Sequence, residues 1–197
     1  MRLLVATQNA GKKLEYAELL DELKAEIVFP DDLRLGLDVE EDGTTYAQNA
    51  RKKGREYHRA SGLLTVADDS GLEVDALSGA PGLHSARYVE GTDADRVAAL
   101  LEALADVPWA DRTARFRCVL AVVTQAGCVT EFEGICEGVI AFEPQGEGGF
   151  GYDPIFYLSD RGRTMAELPR RVKNRISHRA RAVERALPTL AKLLGDG

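Results

Sequence analysis

Cysteine is scarce in this 197-residue chain, and the three present, Cys118, Cys128 and Cys136, are odd in number with no CxxC spacing. That excludes a closed disulfide framework and the usual structural zinc ligand patterns, and leaves reduced, partly buried thiols as the expectation. Long apolar runs are absent too: none approaches the roughly 20 residues of a membrane-spanning helix. The opening MRLLVAT passes straight into polar residues, too short a run for a signal-peptide core, so the expected location is cytoplasmic. Nor is there an excess of cations. With 25 Lys and Arg against 32 Asp and Glu the net charge is −7, which argues against a general polyanion-binding surface and against nucleic acid as a partner. Any phosphate must be held locally. No internal repeat, linker or low-complexity tract is visible.

A 45% hydrophobic composition over this length is enough for one domain, or two closely packed lobes, with a real core. RLLVAT has the look of a buried strand. GKKLEYAELLDELK follows as a helix, with Leu14, Ala17, Leu20 and Leu23 expected on its apolar face. AEIVFPDD predicts a second strand ended by Pro30, and TTYAQNARKKGREYHRASG a helix capped at Thr44 or Thr45 and closed at Gly62. LLTVAD is a third strand, which SGLEVDAL either continues or reverses. SGAPGLHSARYVEG is too rich in Gly, Pro and Ser to be regular. DADRVAALLEALADV is an amphipathic helix; RTARFRCVLAVVTQ and CVTEFEGICEGVIAFE alternate like antiparallel strands joined near Ala126-Gly127. From Val172 to Leu194 the chain is expected to be mostly helical, with a kink or turn end at Pro188. The pattern is α/β with a mixed sheet.

Four stretches have chemical potential. Thr7-Gln8-Asn9-Ala10-Gly11-Lys12 joins the first strand to the first helix, where backbone N–H groups and the positive end of the dipole make an anion site. Lys12 adds a charge, and the Thr7 hydroxyl and Asn9 amide add donors. It is not a Walker A loop, because the first Gly is missing and Lys13 follows Lys12. VEEDGTTYAQNARKK sets Glu40 and Glu41 ahead of a helix that carries Lys53. VADDSGLEV places Asp68 and Asp69 at the end of an apolar run, where a carboxylate needs a cation, a donor or a metal; such hard oxygen ligands suit magnesium. Asp-Asp-Ser-Gly is also good turn chemistry. GEGGFGYDPIF is a glycine-rich loop shaped for close approach, in which Phe150 offers a flat face for a base or anchors a core. Ser177-His178-Arg179 follows as a helix cap with two donors.

Taken in order, TxNxxK, the ADDSGLEVDAL, GAPG and SARY block, GGFGYDPIF and SHR resemble one family: the inosine triphosphate pyrophosphatases, which remove deaminated purine nucleotides from the precursor pool. The resemblance runs from Thr7 to Arg179. It implies a strongly twisted mixed sheet flanked by helices, residues 1–197 forming a single domain of two lobes with an active-site cleft between them, and usually a homodimer. It implies that ITP, dITP and XTP are hydrolysed to the monophosphate and pyrophosphate with Mg2+ as cofactor. Residue by residue, Thr7 to Lys12 and Lys53 would hold the triphosphate, Asp69 would accept the proton and neighbour the metal with Glu40, and Ser70 would contact substrate. Phe150 would stack on the purine within Phe150, Gly151, Tyr152 and Asp153, with Lys173, His178 and Arg179 around the base. A pyrophosphatase for other modified nucleotides, or a noncatalytic nucleotide-binding module, are the competing readings.

Overall fold

The computed structural model describes residues 1–195. Along the chain lie β1 (Arg2–Val5), α1 (Ala10–Leu19), β2 (Glu26–Val28), α2 (Tyr46–Ser61), β3 (Leu64–Val74), α3 (Asp93–Ala103), β4 (Thr113–Val123), β5 (Val129–Ile140), β6 (Phe156–Leu158), β7 (Arg163–Thr164), α4 (Arg170–Ile176) and α5 (His178–Leu194). The seven strands form one mixed sheet in the order β2-β1-β3-β4-β5-β6-β7. β1 runs parallel to β2 and β3, with Leu3 opposite Ile27 on one side and Leu64 on the other; β6 is antiparallel to β5 and β7. β4 and β5 are sheet neighbours joined through a five-residue turn, a connection only antiparallel strands can use.

Two compact units share these elements. The first comprises Met1–Asp69, Cys118–Gly134 and the segment from His178 onward. One face of its strands, with Leu3, Val5, Leu64, Val66 and Leu120, packs on Tyr16 and Leu20 from the α1 segment and on Ala182, Val183, Ala186 and Leu190 of α5. The opposite face, with Leu4, Ala6, Val28 and Ala67, packs on Tyr57 of α2. Helix α2 lies close against the strands, because a Cβ at Gly54 would sit 2.9 Å from Val123 Cγ2. The second unit, Ser70–Arg117 with Ile135–Ser177, has its own core around Leu72, Val74, Leu100, Phe116, Ile140 and Phe156.

Helix α2 has the expected ends: the Thr45 hydroxyl accepts from the Gln48 N–H, and Gly62 closes it at φ 68°. Helix α1 departs from expectation. It ends at Leu19, so Leu20 is its cap and Leu23 lies beyond it, while Leu14 is 54% exposed and Ala17 is exposed. The buried face carries Glu15 and Tyr16 instead. A buried ion pair turns the helix, as shown below. β3 also corrects the turn reading, since it runs unbroken through Asp68, Asp69, Ser70 and Gly71. Helix α5 continues through Pro188 rather than ending there. Cys118 and Cys136 are buried and Cys128 is exposed, all three free. No helix among the described residues is long and apolar enough to cross a membrane.

Candidate active site

Side chains along a strand alternate between faces, so two adjacent carboxylates on β3 must point opposite ways. Val66 belongs to the face covered by α1 and α5, Ala67 to the face covered by α2. Asp68 therefore follows Val66, and Asp69 follows Ala67. The pair that reads in sequence as mutual repulsion is separated by the pleat.

Asp68 is 1% exposed and surrounded by cations. Lys12 Nζ lies 2.9 Å from Asp68 Oδ2, and the Arg179 guanidinium donates to the same oxygen at 3.2 Å. Arg179 is equally buried; its other terminal nitrogen donates to Glu15 Oε2 at 2.5 Å, and the group sits 5.8 Å from the centre of the Tyr16 ring. The demand of Arg179 for a second carboxylate explains why α1 turns Glu15 inward and leaves Leu14 in solvent. Asp68 Oδ1 is buried with no hydrogen-bond partner among the described residues. Burial alone raises the Asp68 pKa, but Lys12, Arg179 and Lys53 outweigh it and hold the carboxyl well below its ordinary value.

Asp69 has a different setting. Its Oδ2 accepts from Asn49 Nδ2 on α2 at 2.9 Å, and Asn49 Oδ1 accepts the Gly43 N–H at 2.7 Å, which fixes the amide's orientation. Only glycine fits at that position, since a Cβ on Gly43 would lie 2.6 Å from Asn49 Oδ1. Burial, and then the charge of Glu41, raise the Asp69 pKa, against the lowering effects of Asn49, Lys53 and Lys12. Lys53 is paired with Glu41, and although burial disfavours its charge, Asp68 and Glu41 raise its pKa above the usual lysine value. Glu40, expected beside the metal, is exposed and acts on Lys52. The carboxylate whose charge reaches Asp69 is Glu41.

The TxNxxK turn is held by its own side chains. Asn9 caps α1 by accepting the Lys12 N–H at 2.9 Å, and the buried Thr7 hydroxyl accepts the Asn9 N–H at 3.3 Å. Ala10 and Gly11 open the helix, with Lys12 third in its first turn. Gln8 turns elsewhere: its amide donates to Leu37 O at 3.2 Å and to the Tyr57 hydroxyl at 3.3 Å. His178 is buried at the start of α5, and Ser70 is half-buried beside Asp69 on β3.

In the second unit the glycine-rich loop presents Phe150. Asp153 accepts the Phe150 N–H at 2.9 Å and pairs with Lys173, whose ammonium lies 4.7 Å from the centre of the Phe150 ring. Both partners of that ion pair are buried. The Tyr152 hydroxyl donates to Ser85 O at 3.0 Å, and the Ser85 hydroxyl accepts the Leu72 N–H of β3 at 2.8 Å. Ser85, from SARY, thus ties the aromatic loop to the strand that follows Asp69. Glu15, Asn49 and Ser85 escaped the sequence reading. A glutamate amid the apolar residues of LEYAEL and an asparagine in a helix interior were the available signals.

The sequence profile of the Ham1 family matches residues 3–189. The chain belongs to the Ham1 family. Relatives include proteins named dITP/XTP pyrophosphatase from Desulforamulus reducens, 48% identical over 98% of this chain and 97% of that one, and from Symbiobacterium thermophilum, 49% identical over 100% and 98%. Among solved structures, a HAM1 protein from Coxiella burnetii superposes with a TM-score of 0.87 at 41% identity, covering 98% of this chain and 99% of that one. The Ham1 match spans both compact units and every motif described above.

Among the described residues no group of three or more His, Cys, Asp or Glu side chains converges as a metal cage. Magnesium does not require one, because it commonly takes one or two carboxylates and completes its shell with waters and substrate phosphate. The hard oxygens of Asp69 and Glu41 fit that donor set.

Proposed function

We propose that this Ham1-family protein hydrolyses the deaminated purine nucleoside triphosphates ITP, dITP and XTP to the nucleoside monophosphate and pyrophosphate. The observation that carries the reading is Asp69: a buried carboxylate with a raised pKa, oriented by Asn49 and set among Lys12, Lys53 and Glu41. A general base works best when its pKa moves toward the working pH, and burial moves Asp69 that way. Its relatives' name, dITP/XTP pyrophosphatase, supplies the substrate class.

In this reading Asp69 accepts a proton from a water whose oxygen bonds to the α-phosphorus as the bond from that phosphorus to the bridging oxygen breaks. The electron pair of the broken bond leaves on pyrophosphate, and Lys12 and Lys53 stabilise that charge. Thr7, the Asn9 amide and the first N–H groups of α1 hold the phosphates. Asp69 and Glu41 would hold magnesium, which when bound neutralises phosphate charge and lowers the pKa of water. Phe150 stacks on the purine, steadied by Asp153 and Lys173, and Ser70 contacts substrate. His178 serves the base at C6, where hypoxanthine and xanthine present an acceptor and adenine a donor. Arg179, with Glu15 and Asp68 as its partners, sets the charge balance behind Lys12. Guanine shares the C6 oxygen, so rejection of GTP falls to the surroundings of C2. The reading also carries a cytoplasmic homodimer, as the family resemblance implies.

Product analysis tests it: purified protein with ITP, XTP, dITP, GTP and ATP, with and without magnesium, scoring pyrophosphate against orthophosphate. Pyrophosphate from ITP, dITP and XTP with little from GTP or ATP is expected. Orthophosphate, or equal use of all five, would overturn the bond or the base assigned.

A further inference from the structure

Two consecutive backbone amides of the aromatic loop are each held by a different carboxylate. Asp153 takes the Phe150 N–H at 2.9 Å, and Asp93, the first residue of α3, takes the Gly151 N–H at 2.7 Å. Each carboxylate is itself paired with a cation, Asp153 with Lys173 and Asp93 with Arg96 at 2.7 Å. Arg96 is anchored in turn, donating to Gly91 O at 2.9 Å. The loop needs such restraint. Phe150 is flanked by Gly149 at φ 74° and Gly151 at φ 63°, residues that leave the backbone otherwise free to take many other conformations.

Helix capping does not explain Asp93. The start of α3 is satisfied by Thr92 and Asp95: the Asp95 N–H donates to the Thr92 hydroxyl at 3.3 Å, and Asp95 Oδ2 accepts the Thr92 N–H at 2.7 Å. Two aspartates thus share one helical turn, one bonded to its own helix and the other reaching a loop 58 residues away. Hydrogen bonds from a backbone N–H to an ionised carboxylate are among the stronger kind.

We propose that Asp93, backed by Arg96, is a positioning residue that clips the Gly151 amide and so holds the Phe150 ring ready for the base. This rests on the reading of Phe150 as the stacking platform, while the clip itself is measured separately.

The test uses the whole chain with Asp93→Ala, Asp93→Asn, Asp95→Ala as the helix-start control, and Phe150→Ala. Amide exchange at Phe150 and Gly151, read without nucleotide, reports the clip; KM and kcat for dITP, and inhibition by pyrophosphate, report its use. In Asp93→Ala, exchange at Gly151 rises about tenfold and KM rises by a similar factor, the scale of one hydrogen bond to a charged group. Its kcat and its inhibition by pyrophosphate stay as in the parent. Asp93→Asn, whose side-chain oxygen still accepts the amide, restores most of both. Asp95→Ala lowers the melting temperature without changing KM. Unchanged Gly151 exchange in Asp93→Ala, or a KM no higher than that of Asp95→Ala, would overturn the clip and leave the function standing. A KM unchanged in Phe150→Ala would instead sink the stacking reading, and the clip's purpose with it.

Discussion

Asp68 and Asp69 are neighbours in sequence and opposites in environment. One faces α1 and α5, meets Lys12 and Arg179, and is held well below the usual carboxylate pKa; the other faces α2, meets Asn49 and Glu41, and is raised. The pleat of a single strand therefore delivers a permanent charge to one side and a carboxylate disposed to take a proton to the other. Environments that push two carboxyl groups apart suit them to different roles: Asp68 to balancing buried cations, and Asp69 to the part of base that the proposed reaction gives it. Asp69→Asn breaks the comparison most directly. It keeps an acceptor oxygen near Asn49 but has nowhere to put a proton, so turnover of dITP should fall by about 10²- to 10⁴-fold with little change in melting temperature. Retained turnover would remove Asp69 from the mechanism.

The same substitution one residue earlier should do the reverse. Asp68→Asn leaves Lys12 without its carboxylate and Arg179 with Glu15 alone, and removing one partner of a buried pair typically costs about 3–5 kcal/mol. Chemical denaturation should show that loss before any assay is run. Acid behaviour sharpens the point. The folded pKa of Asp68 lies below the unfolded value of about 3.9, so its stabilising contribution is complete above that value and is lost as pH falls toward the folded one. The parent should lose stability steeply below about pH 4, and Asp68→Asn less so. Equal acid slopes would mean that Asp68 is not the ionised centre of this cluster.

How far these two roles could be read in advance depended on range. Local signals were legible: Thr45 and Gly62 bound α2 by cap chemistry, and the strand-helix alternation of the first 70 residues gives parallel strands. Motif order reached further and placed Lys12, Lys53, Asp69 and Phe150 on the page. What stayed hidden was set by tertiary pairing. Arg179 lies 164 residues from Glu15, and nothing local in LEYAEL says that its glutamate, rather than Leu14, is buried. DDSG satisfied turn rules, yet β3 runs straight through it because both aspartates find partners on the covered faces. Nothing local marks Asp93 either, since the loop it reaches is 58 residues away.

The smallest effect should come from Asn49, which touches Asp69 without facing the reaction. Its amide donates to Asp69 Oδ2, a bond that favours the ionised carboxylate and lowers its pKa. Asp69 can accept a proton only when ionised, so turnover must fall as pH drops through its pKa. Asn49→Ala removes the first of the lowering influences and leaves only Lys53 and Lys12 to oppose burial and Glu41. The acid limb of the kcat/KM profile should therefore move to higher pH, with a loss of about tenfold at pH values near the limb, the scale of one hydrogen bond to a charged group. Well above the limb most of that activity should return. A loss that is equal at every pH would assign Asn49 to the geometry of α2 alone, and a limb displaced to lower pH would mean that its amide does not bond the ionised form of Asp69.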